Sequence, residues 1–172
     1  PVLDMAAKPI GVVTGISGPI WWTVRLKGMA GHTGSVPMPI RKDPMVGAAE
    51  IIMAVNEIAN QVPGAPTVGS VATIQVLPAS RNIIPESCTF TIDLRDIDLE
   101  RRNRYEKQLL DRIDATCKKH SLTYEISEDT RSDPRYCADW IKDLIRTECQ
   151  NLNLDAPELM SGPFHDALAL SY

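Results

Sequence analysis

Residues 88 to 95, Cys-Thr-Phe-Thr-Ile-Asp-Leu-Arg, alternate apolar and polar side chains without a break. Successive side chains on an extended backbone point to opposite faces. Cys88, Phe90, Ile92 and Leu94 therefore share one face, and Thr89, Thr91, Asp93 and Arg95 share the other. Such a segment fits a sheet with one face on a core and one face open. A second segment repeats the pattern, with Trp22, Val24 and Leu26 facing one way and Thr23, Arg25 and Lys27 the other.

The stretches around these two strands complete an order of elements. Residues 10 to 16 (IGVVTGI) read as a short apolar strand. Asp43-Pro44 joins a capping residue to a proline favoured in the first turn, and starts a helix over 44–61. That helix is apolar nearly all round, with Met45, Ala48, Ile52 and Val55 on one side and Val46, Ile51, Ala54 and Ile58 on another. It is expected to meet a sheet on one side and something else, such as a partner subunit, on the other. A turn (PGAPTVGS) leads to a strand at about 69–78. A helix over 99–119 carries one stripe, Tyr105, Leu109, Ile113 and Cys117. The strand LTYEIS follows, with Leu122, Tyr124 and Ile126 on one face. Asp133-Pro134 reads as the start of a last helix bearing Cys137, Trp140, Ile141, Leu144 and Ile145 at helical spacing.

From Trp22 the order is strand, helix, strand, strand, helix, strand. This predicts the α+β class: a ferredoxin-like βαββαβ unit, an antiparallel four-stranded sheet covered by two helices. The opening strand and the last helix lie outside that unit. They read as portions of a second domain into which the first is inserted.

Of the 172 residues 44% are hydrophobic and 23% charged, which is ordinary globular material. The formal charge of -4 gives no general attraction to nucleic acid or anionic lipid, and no apolar run is long enough to span a bilayer. Neither a nucleic-acid nor a membrane partner is expected. The four cysteines are scattered with no CxxC pair, three of them on apolar stripes, which suggests reduced thiols in a cytoplasmic protein. The chain opens PVLDMAAKP without a methionine and stops at HDALALSY within what reads as a helix, which suggests a piece of a longer protein.

Three places carry residues suited to chemistry. In GHTGSVPMPIRKDP, His32 is a loop histidine able to polarise a carbonyl or stabilise an oxyanion, or is simply a surface histidine. Asn82 in SRNIIP and Arg95 in DLRD suit a carboxylate, since the guanidinium fork donates two parallel hydrogen bonds. Equally, Asn82 can hold the turn before Pro85, and Arg95 can pair with Asp96, Asp98 or a helix acid. In SGPFHDA, His165 followed by Asp166 can supply a metal ligand with carboxylate support, or can cap the last helix. His120 ends a helix and reads as a solvated residue that compensates its dipole.

The segments GHTGSVPMPIRKDPMVGAAE, NIIPESCTFTIDLRDID and SGPFHDA, in that order and at those intervals, resemble the M20 metallopeptidase-like amidohydrolases. Within them the chain resembles the branch of N-carbamoyl-L-amino-acid hydrolases, allantoate amidohydrolases and β-ureidopropionases. The resemblance covers nearly the whole chain, and its branch-specific part is the loop followed by Pro-Met and Arg-x-Asp. It implies an α/β zinc-peptidase-like catalytic domain with two divalent metal ions (zinc, manganese, cobalt or nickel). It also implies an inserted ferredoxin-like lid that makes a homodimer through helix 44–61 and an exposed lid strand. Residues 20–131 would be the lid, and 1–19 and 132–172 segments of the catalytic domain.

Carried over residue by residue, the resemblance makes His165 a metal ligand and has His32 reach the other subunit's active site to stabilise a tetrahedral intermediate. Asn82 and Arg95 would hold the substrate carboxylate, and Gly162 would offer backbone contacts. The implied reaction is hydrolysis of a carbamoyl or ureido C–N bond. An M20 aminoacylase or dipeptidase acting on amide bonds, and an amino-acid-binding regulatory module, are the alternatives. Two departures stand out. Pro163 and Phe164 replace small residues before His165, removing one N–H and adding bulk, which bears on substrate range. The family's metal-bridging aspartate, paired glutamates and upstream histidine have no counterpart in the 172 residues. The chain alone is therefore expected to bind no metal pair stably and to be inactive.

Overall fold

The structure is a computed structural model describing residues 2–171. A short helix α1 (Val2–Met5) precedes β1 (Val12–Ile16), and Ser17 alone separates β1 from β2 (Gly18–Lys27). A long loop holding β3 (Gly31–His32) and a 3-10 turn (Met38–Ile40) leads to α2 (Pro44–Ala59). Then come β4 (Val68–Ser70), β5 (Ile74–Leu77), β6 (Ile83–Ile84), β7 (Ser87–Asp96) and α3 (Leu99–Lys119). The chain closes with β8 (Thr123–Arg131), β9 (Arg135–Tyr136), α4 (Asp139–Asn151), β10 (Glu158–Ser161) and α5 (Asp166–Ala169).

The architecture is mixed α/β. In the main sheet β8 lies beside β2, β2 beside β7, and β4 and β5 share the other side of β7, every pair antiparallel. β2 and β7 pair from Gly18–Asp96 to Lys27–Ser87. The alternation read in the sequence is the burial pattern of β7, with Cys88, Phe90, Ile92 and Leu94 all buried. Against this face pack Ala48, Ile51, Val55 and Ile58 of α2 and the full stripe Tyr105, Leu109, Ile113 and Cys117 of α3. The buried face of α2 draws on both rows read in the sequence, through Ala48, Val55, Ile51, Ala54 and Ile58, and Met45, Val46 and Met53 are exposed on the opposite face. Asp43 caps α2 by accepting from the Met45 N–H at 2.9 Å.

Three expectations are corrected. The strand expected at 69–78 is two strands, and the chain between them leaves the ladder. Thr73 still accepts from the Thr91 N–H at 3.3 Å, so the break is a local offset that an edge with one unpaired side tolerates. Asp133-Pro134 does not start a helix. Arg135 and Tyr136 pair with Ile16 and Gly15, and the Cys137 N–H donates to Thr14 at 2.9 Å, so a ladder overrides a local cap-and-proline signal. Helix α4 begins at Asp139, and its apolar row is largely outside the core, with Trp140 69% exposed. Finally, Cys149 rather than Cys137 joins Cys88 and Cys117 as a buried thiol, and all four cysteines are free.

Between the main sheet and the three-stranded sheet β10-β1-β9, the chain crosses at 17–18 and at 132–134, and the two crossings run side by side. The Ser132 N–H donates to Pro19 at 3.1 Å. A Cβ on Gly18 would lie 2.4 Å from the Ser132 carbonyl, so the approach requires glycine. Arg102 of α3, 1% exposed, donates to the carbonyls of Gly18 and Ser132 and to the Asp133 carboxylate.

Asp96 is buried at the end of β7 and accepts from Arg101, from the Thr67 hydroxyl and from the Asp98 N–H. Burial alone would raise its pKa, but these bonds outweigh it and hold the carboxyl below its ordinary value. A depressed carboxyl stabilises fully above its unfolded pKa, about 3.9, and loses that contribution as pH falls through the folded value. Asp96→Asn is therefore expected to lower Tm at pH 7 and to flatten the fall of Tm below about pH 4. Thermal melts across pH check this; a variant with an unaltered acid limb would refute it.

Candidate functional site

His32 sits in a loop pinned at its ends and tied across its middle. The Met29 N–H donates to Lys42 at 2.9 Å and the Gly28 N–H to Glu86 at 2.7 Å. A Cβ on Gly28 would lie 2.1 Å from the Lys42 carbonyl, so only glycine fits this closure. Arg41 bridges the loop, with Nε donating to Val36 at 3.0 Å and Nη2 to Thr33 at 2.5 Å. The imidazole is exposed, and its Nδ1 accepts from the Gly34 N–H at 3.1 Å. A backbone donor at Nδ1 fixes the proton of the neutral ring on Nε2, leaving Nε2 a hydrogen-bond donor.

Asn82 belongs to the same unit. β3 pairs with β6 through Gly31–Ile84 and His32–Ile83, and the Thr33 N–H donates to the Asn82 carbonyl at 2.9 Å. Its side-chain oxygen accepts from Ser80 at 2.9 Å, so the amide also holds its own turn. The structure thus brings His32 and Asn82 together.

Arg95 lies elsewhere. The eight steps of β7 from Ser87 to Arg95 span about 27 Å, and β3 and β6 extend beyond the Ser87 end. Arg95 therefore stands at the far end of β7 from the turn that carries Asn82. The expected partners Asp96 and Asp98 are taken by Arg101. Arg95 pairs with Asp93 instead, through Nε at 2.8 Å and Nη2 at 2.7 Å, and its Nη1 donates to the Gly162 carbonyl at 3.1 Å. Its guanidinium also lies over the Trp21 ring, 5.4 Å from the centroid. The Asp93 bonds push its pKa further above the ordinary arginine value. Arg95 and Gly162, read separately in the sequence, are therefore in contact.

Three residues from Gly162, exposed His165 stands at the N-terminus of α5 without bonding it, and its Nε2 is 2.6 Å from the Ser161 hydroxyl. Among the described residues no group of three or more His, Cys, Asp or Glu side chains could hold a metal ion. One imidazole does not fit a two-metal centre, which needs several ligands per ion.

Asp93, Trp21, Arg41 and Ser161 are participants that the sequence reading passed over. Asp93 was findable, because residues two apart on a strand share a face. Trp21 was not, because its diagonal placement against Arg95 depends on the pairing of Trp21 with Asp93.

The chain matches the M20 peptidase dimerisation domain over residues 14–121. It is 44% identical over 171 residues to an N-carbamoyl-L-amino-acid amidohydrolase of Pseudomonas sp. (strain NS671), covering 99% of this chain and 41% of that protein. It is 34% identical over 197 residues to an allantoate deiminase of Arabidopsis thaliana, covering 100% of this chain and 38% of that protein. A solved amidase of the hydantoinase/carbamoylase family from Burkholderia multivorans superposes with TM-score 0.94 at 28% identity, over 99% of this chain and 41% of that one. The chain thus spans about two fifths of the length of these relatives. With the dimerisation domain filling more than half of its residues, the chain belongs to the M20 family.

Proposed function

We propose that the whole protein hydrolyses the carbamoyl or ureido C–N bond of a small substrate bearing a carboxylate. The observation that carries this reading is the contact of Arg95 with Gly162, which sets a carboxylate-binding cation three residues from His165. The relatives support the reaction class, since they are an N-carbamoyl-L-amino-acid amidohydrolase and an allantoate deiminase.

Residues 20–131 form the lid in this proposal, a ferredoxin-like unit whose sheet order and two covering helices support the assignment. Residues 1–19 and 132–172 belong to the catalytic domain, and the exposed apolar row of α4 suits a surface that further chain covers. Two copies pair through the exposed row of α2 and the free edge of β8. The distance from Arg95 to His32 and Asn82 then has a purpose. Each active site receives Arg95 from its own chain and the His32–Asn82 unit from the partner. Arg95 holds the carboxylate, and the Nε2–H of His32 donates to the oxyanion that develops when water adds to the ureido carbon. Two divalent metal ions belong to the whole protein, with His165 as this chain's ligand; ammonia and carbon dioxide leave from a carbamoyl group. No helix among the described residues is long and apolar enough to cross a membrane, and we place the enzyme in the cytoplasm.

The test is turnover of N-carbamoyl-L-amino acids and allantoate by the whole protein, metal-loaded and chelated, beside N-acyl amino acids and dipeptides. Release of ammonia from the ureido substrates, abolished by chelation, is expected. Activity confined to acyl amino acids or dipeptides would make the protein an aminoacylase or dipeptidase. Amino-acid binding without turnover would make the chain part of a regulatory module.

A further inference from the structure

Arg95 is held on three sides. Asp93 takes Nε and Nη2 in a bidentate grip, the Gly162 carbonyl takes an N–H of Nη1, and the Trp21 ring lies under the guanidinium plane. An arginine has five N–H groups. Three are engaged here, which leaves one on Nη1 and one on Nη2, enough to meet the two oxygens of a carboxylate. A long side chain that a ligand must first immobilise gives up affinity for that ordering; one already immobilised does not.

We propose that Asp93 is a positioning residue for Arg95, presetting the guanidinium so that its two remaining N–H groups receive the substrate carboxylate. This rests on the reading of Arg95 given above. Asp93 touches Arg95 and acts through it. Its carboxylate also offsets part of the cation's charge, so two effects oppose each other. Loss of Asp93 frees charge for the substrate but also frees the side chain to move. The side chains of the pair are 17% and 32% exposed, so a guanidinium released by Asp93 still has open space to swing into, and the loss of order dominates.

Steady-state kinetics of the whole protein on an N-carbamoyl-L-amino acid test this, using Asp93→Ala, Asp93→Asn, Arg95→Ala and the double variant Asp93→Ala/Arg95→Ala. Asp93→Ala is expected to raise KM roughly tenfold, the cost of ordering one flexible side chain, with kcat within about twofold. Asp93→Asn keeps one acceptor and raises KM less. In the Arg95→Ala background, Asp93→Ala adds nothing, because its effect passes through the guanidinium. A merely structural role would lower kcat and would persist in that background, and either result overturns the proposal. So does an unchanged KM. A lowered KM would mean that Asp93 competes with the substrate for Arg95, and overturns it as well. No turnover of any ureido substrate by the unaltered protein defeats the functional reading, and this inference with it, before any variant is made.

Discussion

Arg95→Ala in the whole protein is expected to lower kcat/KM for a carboxylate-bearing ureido substrate by roughly 10²- to 10³-fold. The two N–H groups left by Asp93 and Gly162 are the donors at stake, and a hydrogen bond between charged groups contributes about 1.5–3 kcal/mol. Two of them, less their replacement by water, give the stated range at about 1.4 kcal/mol per decade. The side chain lies on the open face of the sheet, so folding is expected to survive, with an unaltered circular dichroism spectrum. The carboxamide analogue of the same substrate is the control: the preference for the acid over the amide collapses in the variant. An Arg95→Ala enzyme that keeps the preference would remove Arg95 from carboxylate binding.

Phe90→Ala is expected to destabilise the fold by about 3–5 kcal/mol. Phe90 is 0% exposed, opposite Val24 on one neighbouring strand and Ile74 on the other, so truncation leaves a cavity that no neighbour can fill without shifting a strand. For a chain of this size the loss corresponds to a fall in Tm of roughly 10 °C or more. Arg25, beside Val24 but on the open face, is the matched control, with Arg25→Ala expected to change stability by only about 0.5 kcal/mol. Comparable losses from the two variants would mean that the two faces are not divided as β7 shows them.

The parts of the fold that were legible in the sequence are those where one local signal had no rival. The alternation of 88–95 fixed a face, and the stripe Tyr105, Leu109, Ile113 and Cys117 marked a helix over 99–119, where α3 runs. The misread parts are those where a signal is shared. Asp43-Pro44 and Asp133-Pro134 are the same dipeptide, yet one opens α2 and the other enters a strand, because β1 offers 135–136 a ladder that a local pattern does not register. Arg102 was readable only in part. A charge three residues before Tyr105 lies on the buried stripe, but the carbonyls it serves come from two distant crossings. At the candidate site, His32, Asn82, Arg95, Gly162 and His165 were marked by residue type. Their division between the two ends of β7 followed only from the pairing of β2 with β7.

Gly18, Ser132 and Arg102 also make a fulcrum. Two adjacent crossings clamped by one buried side chain, with the Arg95–Gly162 hydrogen bond beside them, gather ties between the main sheet and the β10-β1-β9 sheet at one end of β2. β2 runs ten residues from that point, about 30 Å, before the loop that carries His32 begins. Arg95, opposite Pro19 in the ladder, sits almost on the axis. A tilt of about 10° would sweep the far end of β2 through roughly 5 Å and leave Arg95 nearly still. Any such tilt would act on the two groups of candidate site residues unequally, the His32 loop far more than Arg95.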